Sequence, residues 1–318
     1  MNIEHQIDLL LKGNFRAAAK LITNIENQEQ VQEILSKIYP HKKESYVIGI
    51  TGAPGVGKST ITDRLIEKFR HDGKKVGVVA IDPTSPFSGG AILGDRIRLQ
   101  KHATDKNVFI RSMGSRGHLG GLAPATNNVV TILSVLGCDY IIIETVGVGQ
   151  SEVEIVKYAD TVLLVLTPGS GDSVQVMKAG IMEIGDIFVI NKCDRQGSNK
   201  IESELRMLQQ IGDNKTSEKP IVKIVAPKNI GIEELYHAIL DHQEIQKKNR
   251  SLTIRRRERI KNEIMNNLHQ SILSHIQNNI VTDNEIELLI NNVFDNKLDP
   301  LTISLSLIEK SKNNDPVE

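Results

Sequence analysis

The sequence has few of the residues on which several protein classes depend. Its two cysteines, Cys138 and Cys193, lie in different segments and are too few for a disulfide framework or a four-cysteine zinc site, so we expect free thiols. Tryptophan is absent and aromatic residues make up 3%, which removes the stacking platforms of single-strand nucleic-acid binders. The 39 basic residues equal the 39 acidic ones, so bulk charge favours no polyanionic partner. These deficits predict a protein that does not bind nucleic acid.

Membrane and export signals are also missing. No run approaches the roughly 18 uninterrupted apolar residues of a membrane span. The segment MNIEHQIDLL at the start holds two acids and lacks the basic region that opens a secretory signal. We therefore expect a cytoplasmic protein without a membrane span. A length of 318 residues with 39% hydrophobic and 25% charged residues suits one large α/β domain with helical additions, or two unequal domains.

Apolar spacing divides the chain into three regions, residues 1–44, 45–243 and 244–318. In the first region apolar residues recur every three or four positions, which predicts two helices that end before Pro40. The third region opens with eight basic residues between Lys247 and Lys261. An apolar stripe on one helix face follows, and a last helix is expected near 301–310, after Pro300; the stripe comprises Ile260, Ile264, Leu268, Ile272, Ile276 and Ile280.

The middle region alternates short apolar runs with longer amphipathic ones. The short runs are β-branched and continuously apolar, as expected of parallel strands covered by helices on both faces. The sequence therefore predicts an α/β fold with a mostly parallel sheet and helical extensions at both ends. The seven predicted strands are YVIGI, KVGVVAI, NVFI, YIII, TVLLVL, DIFVI and IVKIV.

The strongest motif is GAPGVGKST, a GxxxxGK[ST] loop between the strand YVIGI and a helical stretch. Its glycine-rich backbone and the helix start present amide donors that can surround phosphates. We expect Lys58 to reach the β- and γ-phosphates and the Ser59 hydroxyl to bind Mg²⁺. The predicted phosphate-binding residues are Gly52, Ala53, Pro54, Gly55, Val56, Gly57, Lys58, Ser59 and Thr60.

A second motif points to guanine as the base. Asn191, Lys192 and Asp194 form an NKxD sequence directly after the strand DIFVI. A carboxylate at this position can accept from guanine N1–H and the exocyclic amino group together, whereas adenine offers an acceptor at N1. Alone, NKxD could be a surface turn, but after a strand and a phosphate loop it favours GTP over ATP.

Three acids are candidates for the metal and the catalytic water. Glu144 ends the strand YIII, where a Walker-B acid belongs, and Gly147 follows three residues later, where its N–H could sense the γ-phosphate. Asp82 and Asp95 lie in polar loops expected at the same carboxyl edge of the sheet. Each acid could instead be a helix cap or a turn residue.

Together these motifs resemble the MeaB/ArgK family, GTPase chaperones of adenosylcobalamin-dependent methylmalonyl-CoA mutase. The resemblance covers about residues 5–310 and is carried by GITGAPGVGKST, AIDPTSPFSGGAILGDR, RSMGSRGHLGGL, ETVGVGQSE, GSGDSVQVMKAGIMEIGDIFVINKCD and GIEEL. It implies a P-loop GTPase domain of the signal-recognition-particle-like class, a C-terminal helical arm that forms a homodimer, and an acyl-CoA mutase as partner.

The resemblance also implies roles for individual residues. Lys58, Asp82, Asp95 and Glu144 are expected at the catalytic centre, and Ser59 joins the three acids around Mg²⁺. The segment 169–180 is similar to the switch through which such proteins sense their mutase.

The chain departs from the family near the base. Where the family has Ser-Ala before the GIEEL helix, this chain has Val225, Ala226 and Pro227. We expect the Ala226 N–H still to reach guanine O6. Pro227 has no N–H, so it cannot donate a second amide hydrogen bond to the base.

Three other functions share part of this signal. A kinase of a basic amino acid (LAO/AO) transport system would need an acceptor-protein site, which no residue marks. A metallochaperone GTPase for nickel would need clustered His and Cys, whereas the nine histidines are scattered and His118 fits a loop hydrogen bond better than a metal ligand. A signal-recognition GTPase would carry a Met-rich domain, and the chain has six Met.

The basic stretch 247–261 fits a solvated helix or dimer rim better than a nucleic-acid or CoA-phosphate site.

Overall fold

A seven-stranded parallel sheet organises this computed structural model, which describes residues 2–82, 99–114, 125–145, 153–169, 181–211, 218–279 and 283–313. Every strand pairing is parallel, and the strand order is β3-β2-β4-β1-β5-β6-β7. All seven strands coincide with the predicted apolar runs. Their bounds are β1 Tyr46–Thr51, β2 Val76–Asp82, β3 Val108–Gly114, β4 Tyr140–Thr145, β5 Thr161–Leu166, β6 Ile187–Ile190 and β7 Ile221–Lys223.

Helices cover both faces of the sheet, as predicted. On one face of the sheet, Ile48 and Ile50 of β1 pack in a hydrophobic core against helices α4 (Lys58–His71) and α8 (Ile232–Lys248). In the other face Val47 packs with α5 (Thr126–Val135) and the N-terminal helices. Alternate residues of one strand thus point to opposite cores. Helices α6 (Ile181–Ile184) and α7 (Ser198–Ile211) lie between β5, β6 and β7 in the chain.

The N-terminal region contains three helices, not the predicted two. These are α1 (Ile3–Leu11), α2 (Phe15–Glu26) and α3 (Val31–Ile38). The apolar rhythm continues across the break, but Gly13 has a φ of 82° and the Asn14 side chain accepts from the Ala17 N–H at 3.0 Å. A left-handed residue followed by an N-cap ends one helix and begins the next.

The chain forms two compact units, Met1–Leu252 and Thr253–Glu318. The boundary lies within helix α9 (Ser251–Asn279), whereas the boundary expected after residue 243 falls inside α8. Helix α11 (Pro300–Asn313) matches the predicted last helix, with proline at its first position. The helix α10 (Asp283–Phe294) was not predicted. Among the described residues, none of the helices has the length and apolar character needed to cross a membrane.

Candidate nucleotide-binding site

The loop between β1 and α4 has a backbone path that requires glycine. Gly52 has a φ of 141°, and a Cβ at this residue would lie 2.2 Å from the carbonyl oxygen of Val165 in β5. Gly57 has a φ of 99°, and its Cβ would lie 2.4 Å from Nδ2 of Asn191. The two glycines allow the loop to pass close to the neighbouring strand and to the predicted base-binding motif.

Lys58 begins α4 and lies buried within the loop that it follows. Its Nζ donates to the carbonyl oxygens of Gly52 at 2.6 Å and Ala53 at 3.0 Å. The loop therefore surrounds an ammonium group, the compact cation that phosphate loops use against the β- and γ-phosphates.

The carboxylate of Glu144 lies beside the start of the same helix. It is buried in β4, which pairs with β1, and it accepts from Ser59 Oγ at 2.6 Å and from Thr62 Oγ1 at 2.7 Å. Hydroxyl and carboxylate oxygens are ligands that Mg²⁺ prefers, so Ser59 and Glu144 fit the predicted metal role. Thr62 was not predicted, although its spacing of three residues from Ser59 places it on the same helix face.

The other predicted metal and catalytic positions are only partly described. Asp82 ends β2, the strand on the other side of β4, and its backbone lies opposite Gly114 of β3. Its side chain, Asp95 and Gly147 lie outside the described residues, and so do residues 170–180 of the predicted switch. In the described segments, the side chains form no group of three or more His, Cys, Asp or Glu suited to a metal ion.

The NKxD motif is attached directly to the phosphate loop. Asn191 is buried after β6 and donates from Nδ2 to the carbonyl oxygen of Val56 at 2.8 Å. Lys192 Nζ donates to the carbonyl oxygen of Gly55 at 2.7 Å. The residues paired in these two contacts are 135 and 137 positions apart in the chain. The two predicted motifs therefore meet at one edge of the sheet.

A second loop completes this edge. The Ala226 N–H donates to Asn191 Oδ1 at 3.2 Å, and the exposed Asp194 carboxylate accepts from Lys228 Nζ at 3.3 Å. The Ala226 N–H thus lies beside the motif, with the Asn191 amide oxygen as its acceptor. Its contact with guanine O6 stays a prediction.

An open cleft of about 400 Å³ lies between the loop and the motif. Three segments line it: the phosphate loop, the end of β5 and the NKxD turn. Gly169 is the first residue of the predicted switch, whereas residues 167–168 and 195–196 were not predicted, although they follow a strand end or motif at the same sheet edge. The lining residues are Pro54, Gly55, Val56, Thr167, Pro168, Gly169, Lys192, Arg195 and Gln196.

The two cysteines are free thiols, as predicted. Cys193 lies inside the NKxD motif, where its Sγ donates to the carbonyl oxygen of Ile190 at 3.0 Å. Burial raises the pKa of the Cys193 thiol above its ordinary value. This residue therefore packs as a small neutral side chain that supports the turn.

Comparisons with known proteins agree with this architecture. A family model described as the methylmalonyl-CoA mutase-associated GTPase MeaB matches residues 18–281. A Pyrococcus abyssi protein named only as a GTPase is 48% identical over 313 residues, covering 97% of this chain and 96% of its own. The mitochondrial methylmalonic aciduria type A homolog of Mus musculus is 29% identical over 313 residues, covering 92% of this chain and 75% of its own.

A solved structure extends the similarity to the whole fold. The crystal structure of an LAO/AO transport system kinase superposes with a TM-score of 0.71 at 25% sequence identity, covering 98% of this chain and 99% of that one. The phosphate loop on a parallel sheet, the attached NKxD motif and the family match together identify a guanine-nucleotide-binding GTPase fold. The chain belongs to the MeaB family of methylmalonyl-CoA mutase-associated GTPases.

Proposed function

We propose that this GTPase is a chaperone of an adenosylcobalamin-dependent acyl-CoA mutase, which it assists in cofactor loading and protects from inactivation. The description of the matching family model names methylmalonyl-CoA mutase, and the mouse relative is named for methylmalonic aciduria. Methylmalonyl-CoA mutase is accordingly the first partner to test. The expected cytoplasmic location belongs to the same proposal.

One observation supports the placement of the nucleotide. Asn191 and Lys192 donate to the Val56 and Gly55 carbonyl oxygens, so a base held by the motif and phosphates held by the loop lie within one nucleotide length. In this placement the Gly52–Thr60 backbone surrounds the phosphates. Asp194 exchanges Lys228 for the guanine N1–H and amino group, and Ala226 lies beside O6.

The hydrolytic reaction in this proposal is attack of water on the γ-phosphate. Lys58 leaves the loop carbonyls and places its positive charge against the β- and γ-phosphates. Ser59 and Glu144, with Asp82 and Asp95, are the residues that would hold Mg²⁺. When bound, Mg²⁺ neutralises charge on the phosphate oxygens. The N–H of Gly147 is proposed to sense the γ-phosphate.

Coupling to the mutase is proposed to begin at the cleft wall. Gly169 is the first residue of the predicted switch, and it lines the cleft with Pro54 and Gly55 of the phosphate loop. Its φ of 84° lies in the left-handed region, where glycine is favoured. A segment that starts beside the phosphates can change with the nucleotide, so Gly169–Gly180 is the part that we expect the mutase to contact.

Nucleotide-dependent capture from the native cell tests the proposed partner. The protein is loaded with a non-hydrolysable GTP analogue or with GDP, and proteins retained in only one state are identified. A cobalamin-dependent mutase is expected, with capture lost in Lys58→Ala because that variant should not hold GTP.

A second assay addresses the kinase alternative, because the superposed crystal structure is that of an LAO/AO transport system kinase. γ-Labelled GTP is supplied with the captured proteins. The chaperone proposal expects label only in inorganic phosphate, and label transferred to a protein would contradict it.

A further inference from the structure

Arg64 of α4 contacts the backbone of the loop that lies beside the NKxD motif. Its Nε donates to the Ala226 carbonyl oxygen and its Nη2 to the Pro227 carbonyl oxygen, each at 3.3 Å. We infer that Arg64 is a positioning residue for base recognition, which holds the Ala226–Lys228 turn in the orientation that selects guanine. The inference rests on the proposed guanine placement and adds a residue that neither motif contains.

The geometry of the turn shows why these two contacts matter. Ala226–Lys228 is a single 3₁₀ turn, in which N–H groups point to one end and carbonyl groups to the other. The Ala226 N–H meets Asn191 Oδ1 at 3.2 Å, while Arg64 binds the carbonyls of Ala226 and Pro227. The turn is therefore held at both ends, so rotation of its peptide planes away from the base breaks contacts with α4.

Proline makes the arginine contacts more important. Pro227 has no N–H, so the backbone supplies one donor fewer at this turn. The bridge between Val225 and Ile230 closes the two ends of this loop. Gly231 packs tightly at the same place, because a Cβ there would lie 2.2 Å from the Lys223 carbonyl oxygen. Within the tip, the Lys228 N–H donates to the Val225 carbonyl oxygen and the Asn229 N–H to the Ala226 carbonyl oxygen. The hydrogen bonds from Arg64 join this tip to α4.

The guanidinium is itself held in place. Nη1 of Arg64 donates to Glu67 Oε2 at 2.9 Å, and the other oxygen of Glu67 accepts from Lys101 Nζ at 2.6 Å. The Arg64 side chain is 25% exposed. A planar guanidinium can span two carbonyl groups while it keeps an ion pair, whereas lysine presents one nitrogen on a flexible stem.

The same face of α4 continues toward α8. Lys68, one turn after Arg64, forms an ion pair with Glu233, and Asp72, the C-cap of α4, accepts from Tyr236 Oη at 2.5 Å. These two contacts join helix to helix and do not touch the Ala226–Lys228 turn. Because α4 begins at Lys58, the contacts of Arg64 connect the phosphate-binding helix to the base-binding turn.

Equilibrium binding of GTP and of ATP to the full chain tests the inference. Arg64→Ala should weaken GTP about ten-fold and leave ATP within about two-fold, because the phosphate contacts stay intact. The GTP affinity of Arg64→Lys should lie between those of Arg64→Ala and the wild type. Lys68→Ala, which removes a neighbouring cation of the same helix face, is the control that should leave the GTP/ATP ratio unchanged.

Thermal unfolding is measured for each variant, and Arg64→Lys carries the test if the alanine variant is unfolded. An unchanged GTP/ATP ratio in a folded Arg64 variant, or an equal loss of both nucleotides, would overturn the positioning role while the guanine placement stands. A wild type without preference for GTP would instead refute the guanine placement, and the inference with it.

Discussion

Asp194 carries the choice of base in the proposed site, and in the structure its carboxylate accepts from Lys228. Asp194→Asn should weaken GTP relative to xanthosine triphosphate, whose O2 accepts where the guanine amino group donates. The loss of charged hydrogen bonds costs about 2–3 kcal/mol, or about two decades of affinity. Displacement of one labelled nucleotide by GTP and by XTP gives the ratio of the two affinities directly.

Lys228→Ala is the matched control for this prediction. It removes the exposed cation that pairs with Asp194 but leaves the carboxylate, and exposed ion pairs contribute little. The GTP/XTP ratio should therefore stay at its wild-type value. If Asp194→Asn leaves that ratio unchanged as well, guanine is not read by this motif.

Residues within motifs could be predicted, and residues that complete them through space could not. Lys58 and Asn191 follow from fixed spacing, because phosphate and base contacts demand particular residue types at particular offsets. Thr62 and Arg64 lie in an ordinary amphipathic helix, and only the folded chain brings them to Glu144 and to the Ala226 carbonyl. The spacing of Thr62 from Ser59 places the two on one helix face, but nothing in the local sequence distinguishes Arg64 from a surface residue.

At the scale of elements, an ion pair joins the end of α4 to the turn that precedes β3. Arg70 Nε donates to Asp105 Oδ2 at 2.8 Å, and this hydrogen bond holds the pKa of Asp105 below its ordinary value. Because the pKa of Asp105 is lower in the folded chain than in the unfolded chain, the ionised carboxylate stabilises the fold at pH values above its unfolded-state pKa. This stabilisation is lost as the pH falls through the folded-state pKa.

Asp105→Asn should therefore destabilise the protein near neutral pH by about 0.5–1 kcal/mol, the range of partly exposed pairs. The difference in free energy of unfolding from the wild type should shrink as the pH falls below about 4. Urea titrations at several pH values measure it. The asparagine can still accept from the Asn107 N–H, so the measured difference reports the loss of the ion pair with Arg70 rather than the loss of this hydrogen bond. A difference that is constant with pH would contradict the account.

The strands were predictable and the helix breaks were not. Parallel strands buried on both faces leave a continuous β-branched run, and each of the seven runs is a strand. The break at Gly13 and Asn14 depends on one left-handed residue and one cap, which the apolar spacing on either side conceals. Helix α10 was missed because the predicted apolar stripe ends at Ile280 and the next helix was placed after Pro300, which leaves out the apolar residues between them.

At the scale of the whole molecule, we predict a homodimer formed through the Thr253–Glu318 unit. Four residues of the apolar stripe in α9 are exposed: Ile260 at 47%, Ile264 at 61%, Leu268 at 48% and Ile272 at 47%. Exposed apolar patches of several hundred Å² are rare on monomers, and a symmetric dimer is the commonest way to cover one.

Light scattering at micromolar concentration should give the mass of a dimer for the full chain. Ile264→Asp should shift it to the monomer, because the new charge would be buried in the interface. Asn266→Asp introduces the same charge at an exposed position two residues from both Ile264 and Leu268, on the opposite face of the helix, and should leave the dimer intact. A wild type that is already monomeric would refute the dimer.

The family could be predicted from the sequence because its motifs are long and contain chemically constrained residues. The identity of the proposed partner could not, because partner proteins are recognised by surface shape and charge, which no short motif encodes. Whether the mutase is methylmalonyl-, isobutyryl- or ethylmalonyl-CoA mutase therefore depends on measurement.

The most direct test of the chaperone proposal measures GTP affinity and hydrolysis with and without purified mutase, and mutase affinity with and without GTP. Linkage requires both affinities to change by the same factor, and a coupling of about 1–3 kcal/mol gives 5- to 150-fold. Gln175→Ala and Lys178→Ala, in the proposed switch, should reduce this factor while basal hydrolysis persists. GTP affinity and turnover that respond to no cobalamin mutase of the source cell would contradict the proposal and leave the GTP site standing.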